Sequence, residues 1–270
     1  PLPTPAAAAA AAAVPVPVPV PMSLSVVPSQ RYAAVRQAFD EFDADGSGVI
    51  SRRDMRLAMT ALYGRSGTLR SAKHFFAGPD EDGSGGVDIA EFRQAVVRVM
   101  CADIASRLMQ ASPADEETIL GSLMDDTEAV VAAEHALLYK YQLGELKLAA
   151  SHTQEARVEA RPKLQVGETI DSETYEKWLR TGGAAILDAS RTDVRHIGGQ
   201  VASVLVVPIS TPGRYNGNRV IGLLEFVNVA GAFDEMEKNV AVRLAEHLSH
   251  VFVVASLWGA SSTKLRGIQQ

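Results

Sequence analysis

The chain has 270 residues, 47% hydrophobic and 21% charged, a make-up that fits one large or two small folded domains and excludes general disorder. Its one cysteine, Cys101, excludes an intrachain disulfide framework and any multi-cysteine zinc site. The net charge is -6 and Lys and Arg are scattered, so no basic face is offered to nucleic acid.

Residues 1–28 carry no charge and hold eight of the 13 prolines, a run of eight alanines and then alternating Val-Pro. Pro15, Pro17, Pro19 and Pro21 each lack a backbone N–H and block a helix, which excludes a membrane span. The first basic residue is Arg31, so a secretory n-region is missing. A disordered, polyproline-like tail is expected, with Met22 as a candidate translation start.

The charges then divide unevenly. Residues 31–110 hold 11 basic and 11 acidic side chains, whereas 111–270 hold 15 and 21. The acids of the neutral part cluster in two short stretches. In DADGSGVISRRD (43–54), Asp43, Asp45, Ser47, Val49 (through its carbonyl), Ser51 and Asp54 occupy positions 1, 3, 5, 7, 9 and 12 of a twelve-residue loop, with Gly48 at position 6. In DEDGSGGVDIAE (80–91), Asp80, Asp82, Ser84, Gly86, Asp88 and Glu91 repeat that pattern 37 residues later. Calcium takes six to eight oxygen ligands, and this alternation turns oxygens inward around a tight turn. Ile50 and Val87, at position 8 of each loop, are expected to pair.

The flanks agree with helices. Ser29 is a candidate cap for a helix with Val35, Phe39 and Phe42 on one face. Met55, Met59 and Leu62 follow the first loop, and Phe92, Val96 and Val99 the second. Residues 29–110 thus resemble a calmodulin-like EF-hand pair. The resemblance implies Ca2+ as the bound cation. Asp54 is one methylene shorter than the usual Glu, which predicts weaker calcium binding or a tilt toward Mg2+ in the first loop. Gly78-Pro79 is expected to shorten or bend the helix entering the second. A degenerate loop that binds nothing is the alternative for each.

A helical pattern runs from Ile89 to about Met109 and is broken at Ser112-Pro113. Next come a helix over 114–125, a hairpin of HALLYKYQ (135–142) and ELKLAAS (145–151) turning at Leu143-Gly144, and a helix over 172–181. Two long strands follow, SVLVVPIS (203–210) and NRVIGLLEFVNVA (218–230). A final helix over 233–257 carries the stripe Val240, Leu244, Leu248, Phe252 and is expected to stop before Gly259. The words LLYKYQ-LGELKLAAS, GETID, TGGAAILDASRTDVRH, VLVVPI, RVIGLLEFVN and FDEMEKNVAVRLAEHL, in that order, resemble a GAF domain of the phosphodiesterase type over residues 114–258.

The fold class expected is therefore α+β: an all-α EF-hand pair, then an α/β GAF-like domain with a central antiparallel sheet flanked by helices. The expected division is a tail (1–28), the EF-hand pair (29–110), the GAF-like domain (111–260) and a C-terminal tail (261–270). The GAF resemblance implies a pocket whose ligand varies between relatives. No cysteine lies between 102 and 270, which excludes a thioether-linked chromophore there. Asn228 and Phe233 match the cyclic-nucleotide relatives, but Val229 replaces their lysine and Glu237-Lys238 stands where Asp-Glu would fall. Asp188, Asn228 and Phe233 are the candidate pocket residues, with Asp188 and Asp193 in a pocket loop. His152, His196, His247 and His250 lack a surrounding catalytic constellation, and His247 and His250 are placed on the outer side of the last helix.

No phosphate loop, nucleophile elbow or kinase signature is present, so an enzyme is not expected. The function expected is a calcium-binding regulatory or adaptor protein whose GAF-like half docks or dimerises through its terminal helices. One alternative is a small-molecule (cyclic-nucleotide) sensor; another is a structural subunit of a ciliary or cytoskeletal assembly. Protein partners and a cytoplasmic location, with cytoskeletal or ciliary association as a variant, belong to this reading.

Overall fold

A computed structural model of the chain describes residues 28–63, 83–111, 115–127, 129–153, 164–170, 173–188, 201–212, 218–228 and 231–268. Helix α1 (Pro28–Phe42) begins one residue before Ser29, at a proline, whose missing N–H costs nothing in a first turn. A loop leads to the short strand β1 (Val49–Ile50) and helix α2 (Arg52–Tyr63). Strand β2 (Val87–Asp88) runs into α3 (Ile89–Gln110). Strands β1 and β2 are antiparallel, with Ile50 opposite Val87 as the repeat requires and Val49 opposite Asp88. Phe39 of α1 and Phe92 of α3 pack with ring centroids 5.7 Å apart, closing the apolar side of the two loops.

Helix α4 (Glu116–Thr127) precedes strands β3 (His135–Gln142) and β4 (Glu145–Thr153). Their turn puts Leu143 at φ 55° and Gly144 at φ 89°, the two positive angles of a tight two-residue hairpin. After β5 (Thr169–Ile170), a 3-10 turn (Glu173–Tyr175) and α5 (Glu176–Thr181) come β6 (Ala185–Asp188), β7 (Ser203–Pro212) and β8 (Asn218–Asn228). The sheet order is β5-β4-β3-β8-β7-β6, and every neighbouring pair is antiparallel. Asp188, expected in a loop, instead ends β6 opposite Ser203, because the short apolar run before it pairs with β7 and completes the sheet edge. Helix α6 (Glu235–Ile268) passes through Gly259. One glycine costs a helix only about 1 kcal/mol, and no proline follows it to force a stop.

The two faces of the sheet have different fates. One bears Leu137, Tyr139, Leu148, Val204, Val206, Leu223 and Val227, covered by Tyr175 and Trp178. The other bears Ala136, Leu138, Leu205, Val207, Leu224 and Phe226 and packs beneath α6 through Val240, Leu244, Leu248 and Val251. That second core does not end at residue 110. It continues without a break into Val35, Phe39, Met55, Met59, Phe92 and Val96 of the N-terminal helices. The bridge is α3, which packs along α6 as well as against α1 and α4. Among the described residues, no helix is long and apolar enough to cross a membrane.

Candidate metal centre

Helix α1 hands the chain directly to the first loop: the Asp43 amide still donates to the Phe39 carbonyl (3.0 Å), and the Gly46 amide to that of Asp43 (3.1 Å). Gly46 and Gly48 sit at φ 67° and 79°, where a Cβ would be strained, and so fold the loop back on itself. The Asp43 carboxylate consequently receives the amides of Ser47 (3.0 Å) and Gly48 (2.9 Å). The Ser47 hydroxyl lies 3.2 Å from Asp43 Oδ1 and 3.1 Å from the Val49 carbonyl oxygen. The position 5 hydroxyl therefore lies within hydrogen-bonding reach of the oxygens of positions 1 and 7. Asp45 accepts the Ser47 amide at 3.1 Å. The Ser47 hydroxyl and then its amide hold the Asp45 carboxyl below the usual carboxylate range.

Positions 9 and 12 are engaged elsewhere. The Ser51 hydroxyl donates to Asp54 Oδ2 (2.7 Å) and accepts the Asp54 amide (3.1 Å), closing the first turn of α2. In the second loop Asp88 caps α3: it accepts the Glu91 amide (2.8 Å), and Glu91 Oε2 accepts the Asp88 amide (3.1 Å). Glu91 is buried. Gly83 and Gly85 repeat the positive angles of the first loop, at 72° and 92°. Asp80 and Asp82 lie outside the described residues.

Among the described residues, no three His, Cys, Asp or Glu side chains converge on one point that could hold a metal. In the first loop Asp43 and Asp45 supply the carboxylates while Asp54 is turned to Ser51. The donors that do gather are all oxygens, from two carboxylates, a hydroxyl and a carbonyl. That set fits a hard, oxygen-seeking divalent cation, and Asp54 would complete it by leaving Ser51.

Two of the candidate pocket residues of the second half, Asn228 and Phe233, have described side-chain or backbone partners, and Asp188 is described by its backbone. The Asn228 side chain accepts the Glu134 amide (3.0 Å) and donates to the Ala132 carbonyl (3.1 Å), locking the turn that enters β3. Phe233 is buried on the α6 side, its amide donating to the Ser203 hydroxyl (3.2 Å). Asp188 ends β6 at the edge of the sheet, opposite Ser203. Val229, Asp193 and His196 lie outside the described residues.

His247, expected on an outer face, is half-buried because α3 covers that side of α6; burial and then the neighbouring Arg98 lower its pKa. His250 is exposed and rests on the Glu246 carbonyl. His152 is tied to Asp125 of α4 at 2.8 Å.

Two polar constellations were missed by sequence reasoning. Glu225, buried in the middle of β8, accepts the hydroxyls of Tyr139 (3.0 Å) and Tyr175 (2.9 Å). Burial, then the nearby Glu225 charge, holds both phenols well above their usual pKa. The signal was a lone carboxylate inside the apolar run GLLEFVN. Arg93, also buried, donates through Nε (3.0 Å) and Nη2 to the Val130 carbonyl, and through Nη1 to Met236 Sδ (3.2 Å). Its signal was a charge between Phe92 and Val96.

Comparison with known proteins agrees with this architecture. A model of the EF-hand domain matches residues 34–64, and a model of the GAF domain matches residues 115–252. The chain is 38% identical over 79 residues to "Probable calcium-binding protein CML20" of Arabidopsis thaliana, 29% of this chain and 44% of that protein. It is 30% identical over 114 residues to "Probable calcium-binding protein CML13" of Oryza sativa subsp. japonica, 42% of this chain and 67% of that one. The chain thus spans less than half the length of the first of these relatives. Among solved structures it is similar to free methionine-R-sulfoxide reductase from Neisseria meningitidis (18% identity, TM-score 0.48, 63% of this chain and 93% of that one). The GAF domain of a phosphoenolpyruvate-protein phosphotransferase from Coxiella burnetii is similar too (20% identity, TM-score 0.46, 62% and 98%). With the GAF model matching residues 115–252 behind an EF-hand segment, the chain belongs to the GAF domain family and carries an EF-hand domain ahead of it.

Proposed function

We propose that this chain is a calcium-binding regulatory protein in which an EF-hand pair acts on a GAF docking domain. The observation that carries the reading is the first loop, where Asp43, Ser47 and the Val49 carbonyl are drawn together by Gly46 and Gly48. The relatives named as calcium-binding proteins support the choice of ion. Asp43, Asp45, Ser47, Val49, Ser51 and Asp54 hold the cation in the first loop; Asp80, Asp82, Ser84, Gly86, Asp88 and Glu91 hold it in the second. Bound calcium supplies the positive charge that lets several carboxylates share one small volume. Asp54 and Glu91 then exchange their helix-capping bonds for ligation, which alters the first turns of α2 and α3.

The GAF half serves as the docking body. Asn228 and Phe233 are committed to packing between β8, residues 132–134 and α6, which supports docking over small-molecule binding at those residues. The partner is a protein that reads the surface formed by the two halves together.

Calorimetric titration of calcium into the full chain in millimolar magnesium tests the proposal. One or two sites in the range of about 0.1–10 μM, typical of sensors, are expected. Glu91→Gln should remove or weaken one of them. Absence of calcium binding in the native chain overturns the reading.

A further inference from the structure

Two functions meet within the first turn of α3. Asp88, the cap of that helix, is paired across the small sheet with Val49 of the first loop, so both loops bear on the start of α3. Glu91 closes the cap from inside the helix. Arg93 stands two residues later, about 200° further round the helix axis and so on its opposite side. Its side chain leaves the N-terminal module altogether. The Val130 carbonyl that it grips belongs to the turn entering β3, and Met236 belongs to the first turn of α6.

That turn is also held by the GAF half. Asn228 takes the Glu134 amide and the Ala132 carbonyl, and Glu237 of α6 takes the Ala132 amide. Arg93 is thus a charged hydrogen-bond contact from the EF-hand side onto a segment also pinned by the sheet and α6. A cavity of about 190 Å³ lies beside it, lined by Val35, Arg36, Ile89, Arg93, Asp234 and Met236.

We infer that Arg93 is the positioning residue that couples the calcium loops to the GAF half, through its bidentate grip on the Val130 carbonyl. This rests on the calcium-binding reading above. When the Glu91 carboxylate leaves the Asp88 amide for the loop interior, the first turn of α3 rotates. Arg93, on the far side of the axis, withdraws from Val130. A buried carbonyl deprived of its charged donor opens to water, so residues 130–134 and the start of α6 loosen. The coupling is reciprocal: in the calcium-free state the Arg93 grip opposes the rotation and so weakens calcium binding.

Two measurements on the full chain test this, calcium calorimetry and amide hydrogen exchange over residues 130–134. In the native protein, calcium should speed that exchange at least about fivefold, the lower end of typical allosteric couplings. Arg93→Met should exchange fast with or without calcium, and should bind calcium about fivefold more tightly than the native chain. A merely structural role would not raise calcium affinity. Arg93→Lys, which keeps the charge but loses the bidentate fork, should fall between the two. Asn228→Ala loosens the same turn from the GAF side and, by the same reciprocity, should speed exchange at 130–134 and tighten calcium binding, by less than Arg93→Met because the Arg93 grip itself remains. If Arg93→Met does not fold, the native exchange and Arg93→Lys still decide the matter. Native calcium binding with unchanged exchange at 130–134, or Arg93 variants with native affinity, overturns the coupling while leaving the calcium reading intact. A native chain that binds no calcium overturns both.

Discussion

Asp88 carries three ties at once: it pairs with Val49, accepts the Glu91 amide and gives its own amide to the Glu91 carboxylate. Replacing it by alanine keeps the strand pairing but orphans a helix N-terminal donor. Asp88→Ala should cost about 1 kcal/mol, read as a lower urea midpoint at an unchanged slope. The buried Tyr139–Glu225–Tyr175 cluster makes a stronger demand. Tyr175→Phe removes a donor from a carboxylate that water cannot reach, and should cost about 1–3 kcal/mol in the same measurement. The pH dependence has a defined sign. Both phenols are held well above their ordinary value by burial and then by Glu225, whereas in the unfolded chain they ionise near pH 10. Their contribution is complete below that pH and is lost as pH rises beyond it, because only the unfolded state then releases the protons. Alkaline melts of the native protein should therefore fall more steeply than those of the Tyr139→Phe, Tyr175→Phe double variant.

At the scale of elements, α3 and the β3–β8 pair carry most of the architecture. The apolar spacing of Phe92, Val96 and Val99 marks one face of α3. Arg93, Val97, Met100, Cys101 and Ile104 are buried too, on a second face turned by roughly 100°. A helix buried on two faces has no single stripe, and its second face could not be assigned a partner from the sequence. Burial pushes the Cys101 thiol up to about 12, so it acts here as a small core residue. The strands were more legible, since β-branched runs and a Leu-Gly turn mark them locally. Their closeness imposes its own constraint at Gly222, where a Cβ would stand 2.6 Å from the Tyr139 carbonyl oxygen. That oxygen belongs to the neighbouring strand's backbone and cannot step aside. Gly222→Ala should cost roughly 1–3 kcal/mol in a thermal melt, by forcing β8 off β3.

At the scale of the whole molecule, the EF-hand helices and one side of the GAF sheet share one core, so the two halves should melt together rather than in two steps. A buried histidine in β3 and a half-buried one on α6 beneath α3 predict acid sensitivity. Burial lowers the pKa of His135, with Glu134 opposing and His152 adding to the shift. Burial followed by Arg98 of α3 lowers that of His247, where His250 and Arg243 also lower it and Glu246 opposes. Both side chains are neutral in the fold at pH values where the unfolded chain already binds protons. Their stabilisation is present above about pH 6.5 and is lost as pH falls through the folded values. The melting temperature at pH 5 should lie below that at pH 7.5, and His247→Gln should shrink the difference.

The sequence by itself determined what depends on neighbours along the chain. The two loops, their Ile50–Val87 pairing, the Leu143-Gly144 hairpin and the long strands all follow from glycine conformations, oxygen spacing and short-range periodicity. Tertiary structure alone decided the contacts between layers. Arg93 finds its acceptor 37 residues away and Met236 143 residues away, and Glu225 meets phenols 50 and 86 residues distant. No periodic signal encodes such polar partners, because they depend on which helix face lies on which strand. The same physics placed Asp188 at a sheet edge, tied Asn228 to residues 132–134 and buried Phe233. The Glu134 amide and the Ala132 carbonyl, where the β3 turn closes over the sheet, had to be satisfied, and the Asn228 side chain was within reach.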